Sequence, residues 1–206
     1  MSPEPMSDIE SRELDPIRGD FPRVRDRLKL RLYPADFGAD GAIVAAKIAD
    51  GLQAVLVFDL PSAIAPVRPA DLRAWSRPAE ELIALALENV RSQEQVRVDP
   101  MDLVEARLFT VSGEGVFVAT LGMTVEDLLG PSELGALVAV PSNHIVLCHS
   151  LLGRRTAQEA FEAMSKIVAR VHAAGPHPLS ALLYRRLGNE MKPVADVAAL
   201  LSMLPP

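Results

Sequence analysis

The stretch Val140-Pro141-Ser142-Asn143-His144-Ile145-Val146-Leu147-Cys148-His149-Ser150 decides how this chain is read. Its eleven residues hold two of the four histidines and the only cysteine. As a helix it would place His144 and Cys148 on one face, and a metal site would be open. As strand, turn and strand it separates them. Pro141-Ser142-Asn143 is turn chemistry, because proline removes a backbone donor and serine and asparagine bond locally. On a strand, His144, Val146, Cys148 and Ser150 share one face, while Ile145, Leu147 and His149 share the other. His144 and Cys148 then lie about 13 Å apart at strand rise. One zinc ion cannot take both, since its ligands sit about 2.0–2.3 Å from the metal. Cys148 and His149 face opposite ways, so they form no dyad. The expectation is a hairpin with a buried, inert thiol and edge histidines.

The same reading removes a membrane span. Leu134–Gly153 is twenty residues without a charge, the length of a spanning helix. Pro-Ser-Asn-His in its centre would bury polar side chains and break the helix. Two short buried strands account for the run, and no membrane partner is expected. The 206 residues are 49% hydrophobic, enough for one sizeable core. Net charge is −6. Residues 1–20 hold six acids (Glu4, Asp8, Glu10, Glu13, Asp15, Asp20) and two bases (Arg12, Arg18), so most of the excess lies there. The nearly neutral remainder argues against nucleic acid held through phosphates. One cysteine forms no internal disulfide, which suits a cytoplasmic protein.

Working outward, residues 1–20 read as a flexible acidic tail ahead of a single domain, 21–206. Arg27–Tyr33 alternates strictly, leucines on one face and Arg27, Lys29 and Arg31 on the other. That basic stripe is a solvated face or a partner-binding surface. Ala42–Ala49 and Leu52–Leu60 flank Asp50-Gly51, a hairpin signal. Ser76-Arg77-Pro78 reads as the capped start of a helix running to about Arg91. Val104–Val111 and Val116–Leu121 read as a hairpin around Ser112-Gly113-Glu114-Gly115. Thr124–Gly130 is a short capped helix. Thr156-Ala157-Gln158-Glu159 is a capping box opening a helix that carries Phe161, Met164, Val168 and Val171 and ends at Gly175-Pro176. Ala181–Leu187 and Glu190–Val194 flank Gly188-Asn189. Val197, Leu200, Leu201 and Leu204 follow at helical spacing, a segment too short to stand alone in water.

Tight turns between strands favour an α+β fold, with a mainly antiparallel sheet and helices packed on one face. The order strand-strand-helix-strand-strand occurs twice, over 42–121 and 136–194, as a possible pseudo-repeat.

Several patches resemble the YtpQ-like family of uncharacterised bacterial proteins. They are Arg31-Leu32-Tyr33-Pro34, Val55–Ser92, Val138–Cys148 and Leu179–Val194. The chain departs from the pattern at His144, where family members tend to carry an acid, and in lacking much of the family's N-terminal portion. The resemblance implies a bacterial cytoplasmic protein and carries no activity or catalytic residues.

No catalytic residue, cofactor or metal is assigned. The expected function is a non-enzymatic protein-binding or adaptor and chaperone-like module, its partner another protein or a second copy. Arg27, Lys29, Arg31, Val197, Leu201 and Leu204 are the candidate contact residues. The alternative is a small hydrolase using a histidine of the 140–150 segment.

Overall fold

The alternation at 28–34 forms as read, and it seeds the first of two sheets. The computed structural model describes residues 10–38, 41–175 and 177–205. Strand β1 (Leu28–Pro34) pairs antiparallel with β3 (Leu52–Asp59), from Leu28 opposite Phe58 to Pro34 opposite Leu52. Strand β2 (Ala45–Ala49) returns to β3 through Asp50-Gly51. Gly51 has φ of +85°, a conformation that glycine adopts at no steric cost. Strand β4 (Ile64–Pro66) extends the same edge of β3.

The second sheet has six strands, all neighbours antiparallel, in the order β10-β9-β7-β8-β6-β5. They are β5 (Arg97–Asp102), β6 (Arg107–Ser112), β7 (Ala136–Ser142), β8 (Ile145–Ser150), β9 (Leu183–Leu187) and β10 (Glu190–Val194). The opening stretch is the β7–β8 hairpin, with Ser142 opposite Ile145 and Asn143-His144 at the turn. Its alternation divides two cores. Val138, Val140, Val146 and Cys148 join the first sheet's core, while Leu137, Ala139 and Leu147 face the other way. A sheet buried on both faces needs apolar side chains at every position, which explains the uncharged run.

The helices α1 (Asp15–Arg18), α2 (Phe21–Val24), α3 (Pro69–Trp75) and α4 (Ala79–Gln93) belong to the first half. Asn89 on α4 donates to the Arg25 carbonyl, in the turn ahead of β1, and to the Leu28 carbonyl at the start of β1, at 2.8 Å each. Helix α5 (Glu126–Leu129) precedes β7. Helix α6 (Arg154–Ala174) lays Ala157, Ala160, Met164 and Val168 on the far face of the second sheet. Burying side chains such as Met164 and Val168 is worth about 1.5–3 kcal/mol each. Helix α7 (Val197–Ser202) is capped by Asp196, whose carboxylate accepts from the Ala199 N–H at 2.7 Å. The fold is α+β with mainly antiparallel sheet.

Several local expectations shift. The tail reading fails where it can be seen: residues 1–9 lie outside the described residues, but Leu14 is fully buried in the core. Arg18 makes a two-pronged ion pair with Asp71 at 2.7 and 2.8 Å, and its carbonyl accepts from the Trp75 indole. Ser76 ends α3 in the left-handed region instead of opening α4. Strand β6 pairs with β5, not with 116–121; residues Val118–Thr124 are 3-10 helical. The element order strand-strand-helix-strand-strand does recur, as β2-β3-α4-β5-β6 and β7-β8-α6-β9-β10, with short elements between. Sheet membership does not recur, because the β5–β6 hairpin leaves its own half and joins β8. The helices do not share one face of one sheet either: α6 and α7 pack on the second sheet, and α4 against β1.

Candidate functional site

The candidate contact residues named from sequence are mostly taken up by the fold itself. Arg27 is exposed on a turn of 3-10 helix ahead of β1. Lys29 is buried, with Nζ 2.9 Å from an Asp59 oxygen and 4.7 Å over the Phe117 ring. Arg31 lies over the Tyr33 ring, and its Nε is buried without a hydrogen-bond partner among the described residues. The 3-10 segment caps this face and donates Thr120 Oγ1 to the Leu30 carbonyl, so a stripe that looked solvated is largely covered. At the other end, Leu200 and Leu204 are buried in the second core, with Leu201 packed beside them and Val197 half-buried. Arg154 ties this tail down by donating to the Leu201 carbonyl at 2.8 Å. The C-terminal segment therefore docks on its own chain.

The hairpin histidines sit in two different polar settings. His144 is half-buried, with Nδ1 3.1 Å from the Gly115 carbonyl. Glu94 packs so closely on Gly115 that any Cβ there would collide with its carboxylate. Burial raises the Glu94 pKa, while the Lys29 and His144 charges pull it down and Asp59 pushes it up. Lys29, Asp59 and His144 thus all lie close enough to act on the Glu94 carboxylate. Arg91 and its neighbours shape a cleft of about 270 Å³ nearby. Arg91 bridges Glu88 and Asp127 there at 2.9 Å each.

His149 is only 2% exposed. Its Nδ1 stands 2.8 Å from the Arg107 carbonyl. A carbonyl only accepts, so Nδ1 carries the hydrogen, and the neutral ring leaves a bare lone pair on Nε2. Burial lowers the His149 pKa, against the opposing pull of the Arg107 carbonyl and the Glu159 charge. Nε2 is shielded from solvent and has no hydrogen-bond partner among the described residues. Such a buried unpaired acceptor costs about 1–3 kcal/mol.

His149 lines a cleft of about 360 Å³ beside the turn that joins β5 to β6. Leu103, Val104, Ala106, Phe109 and Leu152 supply its apolar lining, with Glu105, Arg107, Ser150 and Thr156 as the polar members. Glu159, read from sequence as half of a capping box, serves this turn instead. It accepts from three backbone N–H groups, Val104 at 3.1 Å, Glu105 at 2.6 Å and Ala106 at 2.8 Å. Desolvation works to raise its pKa, but these N–H groups outweigh it and hold the carboxylate low. The turn is pinned while its tip remains bare: Val104 is 89% exposed and Leu152, in the same cleft lining, is 73% exposed.

Nucleophilic chemistry finds little support in this geometry. Among the described residues no hydroxyl or thiol hydrogen-bonds either hairpin imidazole; Thr156 Oγ1 donates to the Gly153 carbonyl. Cys148 lies in the core on the far side of the strand, where burial pushes its thiol up to about 12. Among the described residues no helix is long and apolar enough to cross a membrane, and no group of three His, Cys, Asp or Glu side chains could hold a metal ion. No family model, curated protein or solved structure matches the chain.

Proposed function

We propose that the chain is a non-enzymatic protein-binding module, of adaptor or chaperone type, whose contact surface is the β5–β6 turn together with the start of α6. One observation carries this reading: Val104 and Leu152, almost bare, both line one largely apolar cleft. Large apolar side chains exposed around a concave surface are the usual anchor points of recognition. The turn is also held in place, by Glu159, so binding would lose little to ordering it. The reading keeps the YtpQ-like resemblance and a bacterial cytoplasmic setting, where a lone buried thiol is unremarkable.

The test is recovery of a partner at native expression by the full chain and by the double variant Val104→Ser, Leu152→Ser. A control variant, Leu187→Ser, removes an exposed leucine elsewhere. The double variant should lose the partner and the control should keep it. A partner retained by the double variant would place the contact surface elsewhere. Light scattering of the same proteins separates a foreign partner from a second copy.

A further inference from the structure

The cleft asks for more than an apolar surface. We infer that it takes an apolar side chain of a partner protein ending in one hydrogen-bond donor, with the tyrosine hydroxyl the best match, delivered to His149 Nε2. This inference rests on the binding-module reading and names the chemistry of its anchor.

Three features on different elements converge on it. First, the Arg107 carbonyl dictates the tautomer of the ring, so Nε2 can only accept. A carboxylate, a carbonyl or a bare phenyl ring gains nothing from it; an O–H or N–H does. Second, the lining is largely apolar, from Leu103, Val104, Ala106, Phe109 and Leu152, and its charged groups are already paired, Glu105 with Arg155 and Arg107 with Asp102. Ser150 and Thr156 supply its hydroxyls, and Thr156 Oγ1 gives its hydrogen to the Gly153 carbonyl. Third, Nε2 is shielded in the unoccupied chain, so a donor reaches it only as the lining shifts, and two side chains of that lining, Val104 and Leu152, are largely exposed and little held. A volume of about 360 Å³ suits a side chain rather than a large cofactor. Aromatic side chains with a polar tip are the favoured anchors of protein interfaces because one rigid group supplies both area and a directed bond.

The gain comes from pairing an acceptor that is otherwise left unsatisfied in a low-dielectric site. Sites built to bond a hydroxyl reject the analogue lacking it far more strongly than pockets discriminate by size. N-acetyl-tyrosinamide should therefore bind the full chain at least tenfold more tightly than N-acetyl-phenylalaninamide, which has the same ring without the hydroxyl. Titrations followed by amide shifts should move residues 103–107 and 149–152. A long-range proton–nitrogen spectrum of the histidines should show Nδ1 protonated at His149 and its Nε2 resonance displaced by the tyrosine ligand alone. The variant His149→Phe should level the two ligands; if it fails to fold, the nitrogen spectrum of the unmodified chain still decides. Equal binding of the two ligands, or a hydrogen on Nε2, would overturn the donor inference and leave the binding surface standing. No saturable shift at 103–107 and 149–152 with either ligand would overturn the cleft as a side-chain site and the donor inference with it.

Discussion

His144 and His149 lie on one hairpin, and both present Nδ1 to a backbone carbonyl, of Gly115 and of Arg107 respectively. The shared bond hides a difference of setting. His144 sits at the turn, partly open to solvent, among Lys29, Asp59 and Glu94, where charge can be answered by charge. His149 lies inside the sheet, where Leu147 and Leu108 are its buried neighbours on the strands and water does not reach Nε2. The bond that orients a histidine does not say what the histidine is for. What surrounds the second nitrogen does.

The comparison breaks most sharply by truncation. His149→Ala leaves a cavity and an unanswered carbonyl, and should destabilise the chain by about 2–4 kcal/mol, read from denaturant midpoints. The same change at His144, on the half-buried turn, should cost within about 1 kcal/mol. Equal losses would show that the turn is as tightly packed as the strand.

Acid sharpens it next. The folded chain keeps His149 neutral below the unfolded value near 6.5. Between the unfolded value and the lowered folded one, the unfolded chain binds the proton and the folded chain does not. Stability from this group is therefore fully present above about pH 6.5 and falls as pH drops through that window, by at most about 1.4 kcal/mol per unit. His149→Phe should remove this share of the slope, measured by unfolding across pH 7 to pH 5. An unchanged slope would assign the acid sensitivity to other groups.

A smaller effect concerns the turn that roofs His149. Glu159→Ala should speed hydrogen exchange at the Val104, Glu105 and Ala106 amides while leaving the β7–β8 amides protected. The smallest is at the neighbouring thiol. Cys148, with its pKa near 12, should label slowly at pH 8 in the native chain and quickly once unfolded. Fast native labelling would mean that the strand opens locally.

Local chemistry made much of this fold legible. Asp50-Gly51, the 140–150 hairpin, Gly188-Asn189 and the stripe of α6 each announce themselves within a few residues. What could not be read is pairing over distance. Strand β5, Arg-Val-Asp-Pro-Met-Asp, is a sheet edge carrying acids and a proline, the marks of a protected edge and poor marks of a strand. Val116–Leu121 has strand composition but wraps over β1 instead, because burial against β1 and β8 outweighs propensity. Leu14 is one leucine in an acidic stretch, and only the assembled core shows that it matters. At the site, alternation placed His149 opposite Cys148, whereas the Arg107 carbonyl and the Glu159 clamp come from elements far along the chain and leave no pattern in the sequence.

The loan of the β5–β6 hairpin to the second sheet has a consequence for how the protein is born. On the ribosome, β1 to β4 can pair with one another as soon as they emerge, since all their strand partners lie upstream of residue 94, although the core beneath them is completed only by later residues such as Phe117 and Val146. Strand β6 cannot. Its inner edge, through Phe109 and Val111, waits for Cys148 and Val146, which are made only after the intervening 3-10 segment, α5 and β7. During that interval the nascent chain carries a paired first sheet whose core is still incomplete, and an open, half-apolar strand edge. Synthesis thus passes through a period in which the molecule is most adhesive just before the strand that closes it arrives.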